Sequence, residues 1–220
     1  MTSHDATPAP DAAQSLGSDD RASADDHAAA PWLVVVDPQR IFADPASKWS
    51  SPFFDQAMER IALLAAHVGP ERTVVTRWLP TADRAGSWGA YFRAWPFADV
   101  SAEDPLYDLV GAAQGLSSHL SVDAPSFGKW GDGLEEVVGP QPELLLTGVS
   151  TDCCVLSTAL AAADAGAHVR VVTDACAASS GENATAALHV MGLYAPQIEL
   201  TTSAELLQGA AGPWQGEAQD

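Results

Sequence analysis

The chain has 220 residues, 47% of them hydrophobic, and a formal net charge of -19 with a pI near 4.3. That length fills one substantial core and is short for two ordinary domains, so one domain is expected. A phosphate backbone or an anionic membrane repels so acidic a protein, which argues against nucleic-acid and membrane partners, although surplus Asp and Glu also serve solubility alone.

Residues 1–30 are rich in Ala, Asp, Ser and Pro, with Leu16 the only large aliphatic after Met1. They cannot bury enough apolar area to offset the entropy of ordering, and a disordered acidic leader is predicted. The leader lacks the basic start and continuous apolar stretch of a secretory signal, and no apolar run in the chain is long enough to span a bilayer. Three cysteines, two of them adjacent at Cys153 and Cys154, make no disulfide framework. The expected location is the cytoplasm.

Composition shifts at Pro31, where Trp32-Leu33-Val34-Val35-Val36 forms an unbroken apolar run ending in Asp37-Pro38. Such a run predicts a strand buried on both faces. Phe53 to Val68 carries apolar residues at helical spacing and stops at Gly69-Pro70. Thr73 to Thr76 reads as a second strand. Residues 77–131 are irregular, and their many rings suggest a pocket wall or a subunit interface. Then follow a strand over Glu143 to Val149, a helix from Asp152 to Ala165 that stops at Gly166, and a strand from His168 to Thr173. A helix over Glu182 to Leu193 and a weaker strand over Gln197 to Leu200 complete the series.

This alternation predicts a three-layer α/β/α fold: a central, mostly parallel sheet of about six strands with helices on both faces. The folded unit is expected over residues 31–210, with a flexible tail over 211–220. In such sheets ligands bind beyond the carboxyl ends of the strands, where Asp37 and the Ser150 to Cys154 segment both fall.

Three candidate groups stand out. Thr147-Gly148-Val149-Ser150-Thr151-Asp152-Cys153-Cys154 passes from a strand through a small polar turn into a helix. Backbone N–H groups at a helix start favour a thiolate and offer donors to an oxyanion, so a nucleophile with a depressed pKa fits there; a small buried cysteine fits as well. Asp37 is either a turn-forming residue beside Pro38 or a carboxylate that takes a proton from a thiol. Lys129, flanked by Gly128 and Gly131 in a chain with only ten Lys plus Arg, is either solvated or a cation beside the nucleophile.

The three groups occur in an order that resembles the isochorismatase-like hydrolases, which include nicotinamidases and N-carbamoylsarcosine amidases. The similarity lies in Val34-Val35-Val36-Asp37-Pro38-Gln39, in Phe127-Gly128-Lys129, and above all in Gly148 through Val155 followed by Thr158-Ala159. It runs from about Trp32 to Leu206. The resemblance implies that Cys154, not Cys153, is the nucleophile, with Asp37 and Lys129 completing a triad. It further implies a cis peptide at Val149-Ser150, an oxyanion hole formed by the N–H groups of Ser150 and Cys154, and a homo-oligomer, dimer or tetramer. A small-molecule amide, urea or lactam would be cleaved at its C–N bond through a thioester. Phe42, Trp78, Trp88, Tyr91, Trp95 and Phe127 are the candidates to bind a flat or apolar acyl group.

One departure from the family matters. Nicotinamidases carry an Asp-x-His and a further His after the second strand to hold a metal, whereas here the stretch reads Thr76-Arg77-Trp78-Leu79-Pro80-Thr81-Ala82-Asp83. No metal and no other cofactor are expected, and nicotinamide loses support as substrate. Two rivals remain: metal-free vinyl-ether hydrolysis of isochorismate, which needs no nucleophile, and a catalytically silent binding or redox protein on the same scaffold.

Overall fold

The structure is a computed structural model, and it describes residues 30–209. The expected leader, apart from Ala30, and the expected tail over 211–220 lie outside the described residues.

Among the described residues six strands form one sheet: β1 (Trp32–Val36), β2 (Thr73–Trp78), β3 (Val122–Ala124), β4 (Glu143–Val149), β5 (His168–Ala177) and β6 (Ile198–Thr201). Their order is β3-β2-β1-β4-β5-β6, and every neighbouring pair is parallel. The helices are α1 (Arg40–Ala43), α2 (Phe54–Val68), α3 (Trp88–Ala94), α4 (Asp132–Val138), α5 (Leu156–Asp164), α6 (Gly181–Gly192) and α7 (Ser203–Leu207). The mainly parallel α/β sheet read from the apolar runs is thus present, and the strand absent from that reading is β3. It is three residues long and only partly buried, too short and too polar to stand out as an apolar run.

Alternation along the strands builds two cores, one on each face. Leu33 and Val35 of β1 meet Phe54, Met58, Ile61 and Leu64 of α2, whereas Val34 and Val36 meet Leu134 of α4 and Val155, Ala159 and Ala162 beside β4. The α2 set recurs at helical spacing, so one stripe reaches the sheet, and each fully buried Ile or Leu there contributes roughly 1.5–3 kcal/mol. The helix ends at Gly69, whose φ of 91° suits glycine, followed by Pro70.

From β1 the chain steps outward through β2 to β3, then returns to the other side of β1 with β4 and continues to β6. The direction therefore reverses between β1 and β4, and a crevice opens at their carboxyl ends. No described helix is long and apolar enough to cross a membrane.

Candidate active site

Close approach of β1 and β4 makes the site. Gly148 lies opposite Val36 in the ladder, with φ 106°, and a Cβ on it would stand 2.2 Å from the Val36 carbonyl oxygen. Only glycine tolerates that contact. Beyond Val36 the chain turns sharply at Asp37, whose φ of 48° is left-handed, a conformation Asp accepts better than most residues. The Gln39 N–H donates to the Asp37 carbonyl at 2.7 Å, closing the turn and directing the carboxylate inward.

Beyond β4, the Val149-Ser150 peptide is cis. The next residues, Thr151–Val155, form a π-helical turn rather than the first turn of a regular helix, and α5 begins only at Leu156. This wide turn presents Cys154, 3% exposed, towards Asp37 and leaves Cys153 exposed. Lys129 arrives between β3 and α4, its N–H donating to Thr158 Oγ1 at 2.9 Å and its Nζ donating to the Ser126 carbonyl at 2.7 Å.

Asp37, Lys129 and Cys154 therefore meet in a water-poor pocket floor. Lys129 Nζ stands 3.1 Å from Asp37 Oδ2, with both side chains fully buried. Thr76 Oγ1 donates to Asp37 Oδ1 at 2.7 Å and also accepts from the Asp37 N–H at 3.2 Å. Oδ2 has no such well-directed donor beyond the ammonium, and the Cys154 thiol lies against the same carboxylate as a donor.

Burial raises the Asp37 pKa above its ordinary 3.8, against the opposing pull of Lys129 and Thr76. Burial, joined by the Asp37 charge, also holds the Cys154 thiol well above its usual value, with Lys129 only partly countering. The depressed thiol pKa expected from a helix start is therefore corrected. Two amides of the turn, Cys153 N–H and Val155 N–H, are spent on the Ser150 carbonyl at 3.0 and 3.1 Å, and full burial next to a carboxylate outweighs the rest. The resting site holds a neutral thiol beside a carboxylate of raised proton affinity, an arrangement in which the base acts as attack proceeds.

Above this floor lies a cavity of about 300 Å³, at the small end of the range for small-molecule sites. Ser150 and Cys154 line it, as do Phe42, Trp78, Tyr91, Trp95 and Phe127 among the rings singled out from the sequence. Trp88 is placed differently: it packs behind the wall, 5.1 Å from Phe127 and 5.4 Å from Tyr91 between ring centroids. Trp49 was not read from the sequence, yet it is the hub of the wall, with Phe42, Trp78, Tyr91, Trp95 and Phe97 all within 6.3 Å. Burial and the nearby Cys153 and Cys154 push the Tyr91 phenol up to about 12, so it faces the cavity as a neutral hydroxyl. Lys48, Ser50, Asp152 and Ser179 add polar groups to the lining. Ser179 donates to Asp152 through both N–H (2.9 Å) and Oγ (2.7 Å), fixing the residue two before the nucleophile candidate.

Thr76 also escaped the sequence reading of the site, and Thr158 entered it only as part of the matched family block, with no role attached. Each is a polar side chain at zero exposure; the signals available were the position of Thr76 at the end of an apolar run and that of Thr158 just after the cysteine block. Among the described residues no three His, Cys, Asp or Glu side chains converge as a metal would require. The donor set around this cavity does not suit a zinc ion.

Solved structures share this architecture. A cysteine hydrolase from Pseudomonas syringae pv. phaseolicola 1448A aligns with TM-score 0.69 and 19% identity over 81% of this chain and 91% of the other. An isochorismatase-like hydrolase from Alkaliphilus metalliredigens gives 0.67 and 16% over 83% and 100%. The pyrazinamidase of Pyrococcus horikoshii, solved in complex with zinc, gives 0.61 and 20% over 79% and 99%. At such identities the likeness concerns the fold, which is that of the isochorismatase-like hydrolases. Residues 31–205 match the isochorismatase domain model, and the chain belongs to that family. Comparison with curated protein sequences gives no match.

Proposed function

We propose that the protein is a cysteine hydrolase that cleaves the C–N bond of a small amide, urea or lactam through a thioester on Cys154. The observation that carries this reading is the junction of thiol, carboxylate and ammonium, with an Nζ to Oδ2 distance of 3.1 Å, beneath an aromatic cavity. In this mechanism Asp37 takes the thiol proton as the sulfur attacks the carbonyl carbon. Lys129 keeps Asp37 ionised until then, and steadies the thiolate as it forms. Backbone N–H groups of Ser150 and Cys154 receive the oxyanion, a contribution of roughly 3–4 kcal/mol per well-placed donor. The amine or ammonia departs with the proton held on Asp37. Water, deprotonated by the same carboxylate, then hydrolyses the thioester.

The six rings around the cavity favour a flat or apolar acyl half, since ring contacts reward planar apolar surface. The test is a screen of aryl and alkyl amides, ureas and lactams for release of ammonia or amine, with Cys154→Ala as control. Cysteine-dependent release from at least one class is expected. Isochorismate hydrolysis that survives Cys154→Ala would instead establish nucleophile-free vinyl-ether cleavage, and no release from any class would point to a binding protein.

A further inference from the structure

We propose that Thr158 is a positioning residue of this site, its hydroxyl tying the segment that carries Lys129 to the turn that carries Cys154. The inference rests on the cysteine-hydrolase reading given above. Thr158 sits in the first turn of α5 at zero exposure. Its Oγ1 accepts from the Lys129 N–H at 2.9 Å and donates to the Cys154 carbonyl at 2.7 Å. A Thr hydroxyl bonded to the carbonyl four residues back is a common helix contact. The bond accepted at the same oxygen from a residue 29 positions away is what makes this one a joint.

The surroundings reinforce the joint. Gly128, just before Lys129, packs so tightly on α5 that a Cβ there would stand 3.3 Å from the Ser157 carbonyl oxygen. Ser157 and Thr158 thus form a seat for the Gly128-Lys129 backbone. The seat holds the main chain, while the Lys129 ammonium is held separately by the Ser126 carbonyl and Asp37. Of the uncharged side chains that fit so small a buried space, only a hydroxyl donates and accepts at one atom, so Ser replaces Thr here and the isosteric Val does not.

Without the hydroxyl, the Lys129 N–H loses its acceptor and the segment moves off its seat. The ammonium then recedes from Asp37 and Cys154, and a displacement of about 1 Å at a catalytic group can cost on the order of 10²-fold in rate. Because Lys129 is the cation that opposes the high thiol pKa, its retreat lowers the fraction of thiolate.

The test follows alkylation of each cysteine by iodoacetamide from pH 7 to 10, read by peptide mass spectrometry, in the full chain and in Thr158→Val and Thr158→Ser. Cys154 is expected to react about 5–20-fold more slowly in Thr158→Val below its pKa, with Cys153 and Cys176 unchanged, and Thr158→Ser within about 3-fold of the parent. A merely structural role gives the opposite pattern: general loosening speeds alkylation, including at the half-buried Cys176. An unchanged Cys154 profile, or faster labelling at all three sites, overturns the proposal. This readout needs no substrate, whereas the cysteine-hydrolase reading stands or falls on turnover and its loss in Cys154→Ala, so the two failures are distinct. With an active substrate in hand, Thr158→Val should lower kcat by about 10- to 100-fold and leave KM within about 3-fold.

Discussion

Replacing Lys129 by Met removes one half of a fully buried ion pair and nothing of comparable bulk. At 3.1 Å and an effective dielectric near 20, the attraction between Lys129 and Asp37 is about 5 kcal/mol. Loss of one partner from such pairs costs about 3–5 kcal/mol, because the other charge is left stranded. Asp37 has an escape: its pKa is already raised by burial, and without its principal counter-charge it rises further and binds a proton. Lys129→Met should therefore lose about 3–4 kcal/mol at pH 8 and less as the pH falls. The sign follows from linkage. A carboxyl whose folded pKa exceeds its unfolded one adds stability at low pH and forfeits it as pH rises through the folded pKa. The same proton removes the base, so activity falls even where the fold survives. Asp37→Asn/Lys129→Met, with no stranded charge, should return to within about 1 kcal/mol of the parent while remaining inactive. Urea unfolding of the four proteins at pH 5 and pH 8 gives the cycle. A non-additivity near 3 kcal/mol at pH 8 is expected; additive losses, or a gap that widens with acid, would refute a coupled buried pair.

Three further outcomes follow from the geometry. The acid limb of kcat/KM should lie above the ordinary carboxylate range near 4, because burial raises Asp37, and a limb at or below that range would contradict the placement of the base. Gly148→Ala forces a Cβ into the Val36 backbone at a left-handed φ, so soluble expression or melting temperature should fall steeply, and a variant with parental melting behaviour would show that β1 and β4 do not approach so closely. Trp49→Ala opens the centre of the ring wall; KM for an aryl amide should rise at least about 10-fold while alkyl amides change little, and equal effects on both would remove the aromatic wall from recognition.

The sequence exposed the fold where burial on both faces left unbroken apolar runs, as in Leu33 to Val36 and Leu144 to Leu146. It hid β3, whose Val122-Asp123-Ala124 alternates at a sheet edge. It exposed Asp37, Lys129 and Cys154 because their order matched a family block, and the structure brings all three together. It hid Thr76 and the part played by Thr158, which was legible only as a member of the matched block, because a hydroxyl that links distant segments has no local pattern. Trp49 lies in Ser47-Lys48-Trp49-Ser50, a polar stretch whose folding back over the cavity depends on tertiary packing. The neutral state of the Cys154 thiol was equally out of reach: a helix start argues for a thiolate, and only the observed burial and the facing carboxylate reverse that sign.

The decisive measurement is the intact mass of the protein quenched in acid during turnover of an amide that it hydrolyses. A mass increase equal to the acyl half, mapped to the Cys154 peptide and lost in Cys154→Ala, is the expected result. Continued turnover by Cys154→Ala, or an acyl group on Cys153 instead, would contradict nucleophilic attack by Cys154.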